Sequence, residues 1–411
     1  MAATKPVSHD RGDASAARPR LFAARRFETL PGIQAAAALL REIDDGDAPE
    51  GARLPCRPLV LYGGGDLGRM AHDHLTGLGF AVDLVVDRNA AALRNDRFWA
   101  GTRLVAPDEV SGDIKADALL AVCVATAPFV PLARSLQDSG WRDIVPFYDL
   151  AESCRDRHPL SNGWFAGRLD VAERNAVESV LGRWHDDLSR AHHLQFIAWR
   201  RLRAEWTFAD APVTGDDRFF IPEVLPHLGK VGTFVDAGAH HGRVTERLVA
   251  LRGGAGLRVV AVEPDRANLA VLQSRIGCER GVAGEWLTLV PEALDAVERD
   301  RVFHAGLGYA SQLSPTGAER VRTVTLDGLG VAPDYVKLHL EGGELDALRG
   351  GLATIKAHRP ILAVTVYHND DGLWRTPAFL MEGLENYRFL LRLHGWCGTG
   401  AVLYALPGEL R

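Results

Sequence analysis

TFVDAGAHHG at residues 233–242, followed by RVVAVEPD at 258–265, decides the fold. Thr233 to Asp236 is a short strand pattern that ends in an acid. Ala237 to Gly242 is a glycine-bearing loop, and Arg243 to Arg252 has helical spacing. Arg258 to Val262 is the next strand, closed by Glu263-Pro264-Asp265. A helix is expected over Arg266 to Ile276, with Asp265 as its N-cap. Strand, helix and strand joined by short loops predict a parallel α/β sheet. Further strands are expected at Trp286–Val290, Tyr335–Leu340 and Pro360–Tyr367. A closing pair is expected at Tyr387–Leu393 and Ala401–Leu406, around a glycine-rich turn.

The N-terminal half carries a second, smaller α/β pattern. Leu59 to Tyr62 reads as a buried strand feeding Gly63-Gly64-Gly65-Asp66-Leu67-Gly68, then a helix. Strand patterns follow at Ala81–Val86, which ends on Asp87, and at Ala118–Val124. Residues 1 to about 27 read as a flexible arm and 33–44 as a helix. The expected division is arm and helix over 1–50, a Rossmann-like nucleotide-binding-type domain over 51–150, a helical connector over 151–215 and the main α/β domain over 216–411.

The two loops imply different ligands. Gly63-x-Gly65-x-x-Gly68 has the strand–turn–helix setting of a dinucleotide site, with Asp87 near the place of a ribose-binding acid. The same glycines also suit a tight turn with no ligand, and both readings stay open. The second loop, Asp236-x-Gly238-x-x-x-Gly242, has no phosphate-cradling pattern but is flanked by the acids Asp236 and Glu263. S-adenosylmethionine (SAM) has no phosphate. It offers an ammonium, a sulfonium and a ribose diol, all of which favour carboxylates. SAM is therefore the cofactor expected here.

With these residues in view, the C-terminal half resembles the FkbM-type SAM-dependent methyltransferases. The resemblance rests on FVDAGAHHG (234–242), AVEPD (261–265), VTLDGL (324–329), YVKLHLEGGELDALRG (335–350) and YRFLLRLHG with AVLYALP near the end. It implies a class I methyltransferase fold: a seven-stranded, mostly parallel sheet with a closing antiparallel strand. It also implies SAM as methyl donor and a hydroxyl acceptor, often on a sugar or secondary metabolite. Asp236, Gly238, His240, Gly242, Glu263 and Asp265 are the implied cofactor-binding residues. His240 stands where the family usually has Asn, and His339 where it usually has Asp in K-x-D-x-E-G.

Transfer of a methyl group to an alcohol needs alignment and removal of one proton. Lys337, His339 and Glu341 alternate at a strand's C-terminal end, where ligands of open α/β sheets bind. His368 follows the next strand toward the same rim. His339 and His368 are the candidate bases, Glu341 orients one of them or holds substrate, and Lys337 pairs with Glu341. His339, Glu341, His368 and Asp370 have a spacing that permits convergence on a metal without requiring it, and no metal is expected. His192 and His193 are expected on a solvated helix face. Phe219, Phe220 and Pro222 suit a lid or plain packing, and Trp184, Phe196, Trp199 and Trp206 suit packing between domains.

Composition narrows the rest. The 411 residues carry 47 basic and 53 acidic side chains, a net charge of −6, which argues against a nucleic-acid partner. Only Lys5, Lys115, Lys230, Lys337 and Lys356 are lysines, a bias that fits a GC-rich bacterial genome. Five scattered cysteines give neither a zinc motif nor a disulfide framework, so a reducing cytoplasm is expected. No membrane span or signal-peptide core is legible. A small-molecule or saccharide acceptor is the expected partner, and homo-oligomer formation stays open. The rival readings are an NAD(P)-binding or nucleotide-sugar oxidoreductase run from Gly63–Gly68, and a SAM-binding protein without turnover. No Tyr-x-x-x-Lys pair supports the first; the His339 replacement motivates the second.

Overall fold

Runs of buried aliphatic residues build two sheets. The computed structural model describes residues 22–48, 51–55, 58–160, 165–280 and 286–408. In the N-terminal unit five parallel strands lie in the order Leu104–Val105, Leu84–Val86, Leu59–Tyr62, Leu119–Val122 and Asp143–Pro146. In the C-terminal unit seven strands lie in the order Leu287–Val290, Arg258–Val262, Thr233–Ala237, Tyr335–Leu338, Ile361–Thr365, Ala401–Pro407 and Tyr387–Leu393. Ala401–Pro407 is antiparallel to both of its neighbours, while the first five strands pair in parallel. This is the mostly parallel, antiparallel-closed sheet expected from the sequence.

Two expectations are corrected. The arm expected up to about residue 27 ends in a strand, Ala23–Phe27; residues 1–21 lie outside the described residues. That strand pairs in parallel with Ala204–Phe208, inside the stretch read as a helical connector. Helical periodicity could not reveal a partner about 180 residues away, and four of the five residues of AARRF are exposed. The connector helices Val171–Arg183 and Asp187–Leu202 are no spacer. With Ile33–Asp45 they bury Leu40, Val177 and Leu194 in one core with Leu391 and Leu403 of the large sheet. A small sheet of Ala293–Leu294, Glu319–Val324, Asp300–His304 and Gln312–Leu313 gave no sequence signal, because its longest strand is largely exposed.

The two units are tied by specific bonds. Glu205 is buried, and its carboxylate accepts from Phe129 N (2.6 Å) and Val130 N (3.2 Å) at the start of the helix Phe129–Asp138. Arg203 and Asp149 form a buried pair at 3.0 Å. Trp396 N donates to Ala125 O at 2.8 Å. Trp199 packs on Phe129 in the N-terminal core, as expected, whereas Trp184, Phe196 and Trp206 belong to the C-terminal core. These ties set the C-terminal ends of both central strands, Leu59–Tyr62 and Thr233–Ala237, toward one shared space.

His192 and His193 are also corrected: they are 1% and 0% exposed rather than solvated. Trp184 Nε1 donates to His193 Nδ1 at 3.0 Å, and Leu393 N reaches His192 Nδ1 at 3.3 Å. Burial depresses the pKa of His192 to about 4 and of His193 to about 3. Folded, each binds fewer protons than the unfolded chain does below about pH 6.5. Stability therefore rises with pH across that window and is lost as pH falls from about 6.5 toward 4. Urea denaturation between pH 7 and pH 5 should show a falling midpoint, with a slope of about 1.4 kcal/mol per pH unit for each such histidine. A midpoint unchanged over that range would show that the pair is not held neutral.

Candidate active site

The shared space is a chamber of about 1160 Å³. One wall is the N-terminal loop with Gly63, Gly65, Asp66 and Asp87. The other carries Gly238, His240, Glu263, Lys337, His339 and Glu341. The two loops that the sequence analysis singled out thus face each other across one volume.

The Gly238 loop is shaped from behind by Lys337. Its ammonium, 1% exposed at the residue level, donates to Asp236 Oδ1 (3.0 Å), Ala237 O (3.1 Å) and Gly238 O (2.7 Å). Asp236, fully buried, also accepts from Thr245 Oγ1 at 2.8 Å. Two expectations change. Asp236 lies behind the loop rather than on the chamber wall, and Lys337 pairs with Asp236 instead of Glu341. A short acid at the strand end points back into the sheet, where it meets the lysine of the adjacent strand in register. A side chain at Gly238 would put its Cβ 1.9 Å from His339 O, so only glycine lets the loop pass there.

Glu263 stands on the wall at the end of its strand. His240 N donates to one carboxylate oxygen (2.7 Å) and Asp265 N to the other (2.9 Å). Burial raises its pKa against these donors. Asn268 adds a side-chain hydrogen bond to it, and both residues line the chamber. Gly242 and Asp265, expected at the cofactor, are placed otherwise. Gly242 has φ 80° and opens the helix Arg243–Arg252 against Ile276. Asp265 caps the helix from Arg266 through Ala267 N (2.9 Å) and accepts from Ser311 Oγ (2.7 Å).

On the opposite wall Asp87 is already engaged, accepting from Gly64 N and Asn89 N, both at 2.7 Å. Gly63 has φ 103°, and a Cβ at Gly68 would lie 2.0 Å from Gly63 O. The turn itself thus requires Gly63 and Gly68, whereas Gly65 has ordinary backbone angles and open space beside it.

Beyond Lys337 lies a compact polar cluster. His339 Nε2 is 3.0 Å from Glu341 Oε1 and 3.2 Å from the Tyr367 hydroxyl. His368 Nε2 is 3.4 Å from Glu341 Oε2, and its Nδ1–H donates to Glu344 Oε1 at 3.0 Å. The two imidazoles stack with centroids 5.1 Å apart. Glu341 holds its place with φ 51°, a left-handed conformation that costs a non-glycine residue about 1–3 kcal/mol. Asp370, whose spacing allowed it to join, is exposed outside the cluster. Phe219 lines the chamber and Phe220 is core, where it packs on Tyr335.

The carboxylates of this cluster differ. Burial drives the Glu341 pKa up, and its ion-pair contacts do not cancel that. Burial pushes Glu344 up as well, but His368, Thr365 and Leu340 N bring its pKa below the ordinary value. Burial holds His339 well below the ordinary histidine range. Burial opposes charge on His368, but Glu341 and Glu344 outweigh it and raise its pKa.

Glu344 and Arg200 are functional-site residues that sequence reasoning missed. Glu344 accepts from Leu340 N and Gly342 N (2.9 Å each) and from Thr365 Oγ1 (2.6 Å). A second acid just past EGG was the available signal. Arg200 comes from the connector and donates to Asn369 O (2.6 Å) and to Tyr367 O, fixing the loop that bears His368. Nothing in its helix marked it out.

Comparison with known proteins shows what this part of the chain is similar to. Residues 236–391 match the family model described as the Methyltransferase FkbM domain. The crystal structure of Methyltransferase FkbM from Methylobacillus flagellatus KT is similar, with a TM-score of 0.54 at 18% identity. The match covers 91% of this chain and 98% of that one. A methyltransferase from Geobacter sulfurreducens matches in part, with a TM-score of 0.27 and 15% identity over 45% of this chain and 76% of that one. A search of curated proteins found no match. Among the described residues no helix is long and apolar enough to cross a membrane.

Replacing Lys337 with Met should leave the Asp236 carboxylate buried without its cation. A loss of about 3–5 kcal/mol in urea denaturation is expected, as for other broken buried pairs. Unchanged stability would show that the pair does not hold the loop.

Proposed function

Because residues 236–391 match the Methyltransferase FkbM domain, we propose that the protein is a SAM-dependent O-methyltransferase acting on a hydroxyl of a saccharide, glycolipid or secondary metabolite. One observation carries the reading: the Gly238 loop, Glu263 and the His339–Glu341 pair open into one chamber. The residues present fit SAM. Glu263 offers lone pairs to a ribose diol, Gly238 permits close approach of the backbone, and the loop has no phosphate cradle.

SAM supplies an activated methyl group on a sulfonium. The chain's part is to hold the acceptor oxygen in line with that carbon and to take its proton. In-line positioning contributes up to about 7–11 kcal/mol in favourable cases. His339 Nε2, on the chamber wall beside Glu341, would take the hydroxyl proton of an acceptor held in line with the methyl group that SAM supplies. Proton removal of this kind contributes roughly 10²–10⁴-fold. The N-terminal loop closes the far side of a chamber larger than the ~300–1,000 Å³ of an ordinary small-ligand site. It leaves room for an acceptor of sugar size beside the cofactor. The N-terminal unit is thus a wall of the acceptor site, and a cytoplasmic setting, where SAM is made, suits the reaction.

Calorimetric titration with S-adenosylhomocysteine should show micromolar binding. Glu263→Gln should weaken it about 10–100-fold, the range for losing hydrogen bonds to a charged group. Asp236→Ala should lower both affinity and stability. Transfer of labelled methyl from SAM to a panel of saccharides should then identify the acceptor. No binding of S-adenosylhomocysteine, with clear binding of NAD(P)H or a nucleotide sugar, would move the active site to Gly63–Gly68. Binding without turnover on any acceptor would indicate a silent SAM-binding protein.

A further inference from the structure

We propose that His339, Glu341 and His368 bind one first-row transition-metal dication at the chamber wall. One donor atom from each lies within 4.8 Å of the other two. The separations of 3.0 Å (His339 Nε2 to Glu341 Oε1) and 3.4 Å (His368 Nε2 to Glu341 Oε2) are close to those around an ion. Ligands held at about 2.0–2.2 Å from one centre stand roughly 3.0–3.5 Å apart.

An independent observation points the same way. His368 Nε2 is buried and makes no hydrogen bond, although its residue is only 5% exposed. Glu341 Oε2 faces it at 3.4 Å without a hydrogen bond, and a buried polar nitrogen with no hydrogen bond calls for an explanation. Its other nitrogen is committed: Nδ1–H donates to Glu344, whose carboxylate is itself fixed by three further donors. With Nδ1 committed to Glu344, Nε2 is the nitrogen left to meet Glu341 or an ion. A carboxylate behind an imidazole is the outer shell that orients metal-binding histidines.

Two imidazoles and one carboxylate suit Mn²⁺, Fe²⁺, Co²⁺, Ni²⁺ or Zn²⁺ better than the oxygen-seeking Mg²⁺ or Ca²⁺. Three protein ligands leave coordination positions open, as in catalytic rather than structural metal sites. His339 and Glu341 line the chamber, so those positions face it. The Tyr367 hydroxyl, now 3.2 Å from His339 Nε2, would turn to a water or hydroxyl on the ion. An ion here would take over the acceptor oxygen from the His339 side chain; that role rests on the proposed function, whereas binding of the ion does not.

The test uses the full chain, stripped with a chelator and titrated with Co²⁺ in the absence of SAM and acceptor. Calorimetry and visible absorption should report one saturable equivalent, and Zn²⁺ should displace it. His339→Asn and Glu341→Gln should abolish that equivalent. Glu344→Gln, a positioning change, should weaken it 10–100-fold. Stripped His339→Asn should melt where the stripped wild type does, because His339 is a partly exposed wall residue. Its loss of uptake then reports a lost ligand rather than a lost fold. Absence of saturable uptake by the wild type, or uptake unchanged in both His339→Asn and Glu341→Gln, would overturn the proposal. Either result leaves the S-adenosylhomocysteine titration to stand or fall separately.

Discussion

The buried ammonium of Lys337 is the constraint on which the rest of the chamber depends. It neutralises Asp236 where the sheet excludes water and holds two loop carbonyls at hydrogen-bond distance. Those carbonyls set the path of the Gly238 loop, which in turn brings His240 N onto Glu263. Lys337 also lies on the strand that delivers His339 and Glu341. The Gly238 loop and the His339–Glu341 cluster are therefore registered to one another through a single charged side chain.

The cluster beyond it separates two carboxylates by environment. Glu344 gathers four donors and is held ionised, whereas Glu341 has ion-pair contacts and a left-handed backbone but none of those fixed donors. The first is a fixed anchor for His368, the second a reactive group facing the chamber. This division accounts for the cluster better than the sequence expectation did, in which Glu341 alone oriented a histidine.

The N-terminal unit acts through placement. Its strands end opposite those of the large sheet because Glu205, Arg203 and Trp396 tie the two units at separate points. Its Gly63 and Gly68 are required by their own turn, and Asp87 accepts from two amides of its own unit. Such a unit narrows and shapes the chamber.

The local grammar of the chain was enough for the large sheet. Buried aliphatic runs, loop glycines and acids at strand ends are short-range signals, and they located Thr233–Ala237, Arg258–Val262 and the antiparallel closure. Periodicity also found the helices Ile33–Asp45 and Arg243–Arg252. The roles of Asp236, Lys337, Glu344 and Arg200 were decided only in three dimensions. Each depends on a partner from another element: Asp236 on Lys337 about 100 residues on, Glu344 on His368, Arg200 on the backbone of 367–369. Burial decided His192 and His193 in the same way. By itself the sequence determined which surfaces must be buried and where the backbone must turn. Which charge meets which, and what faces the chamber, was decided by tertiary packing, because electrostatic pairing depends on distance in space and not along the chain.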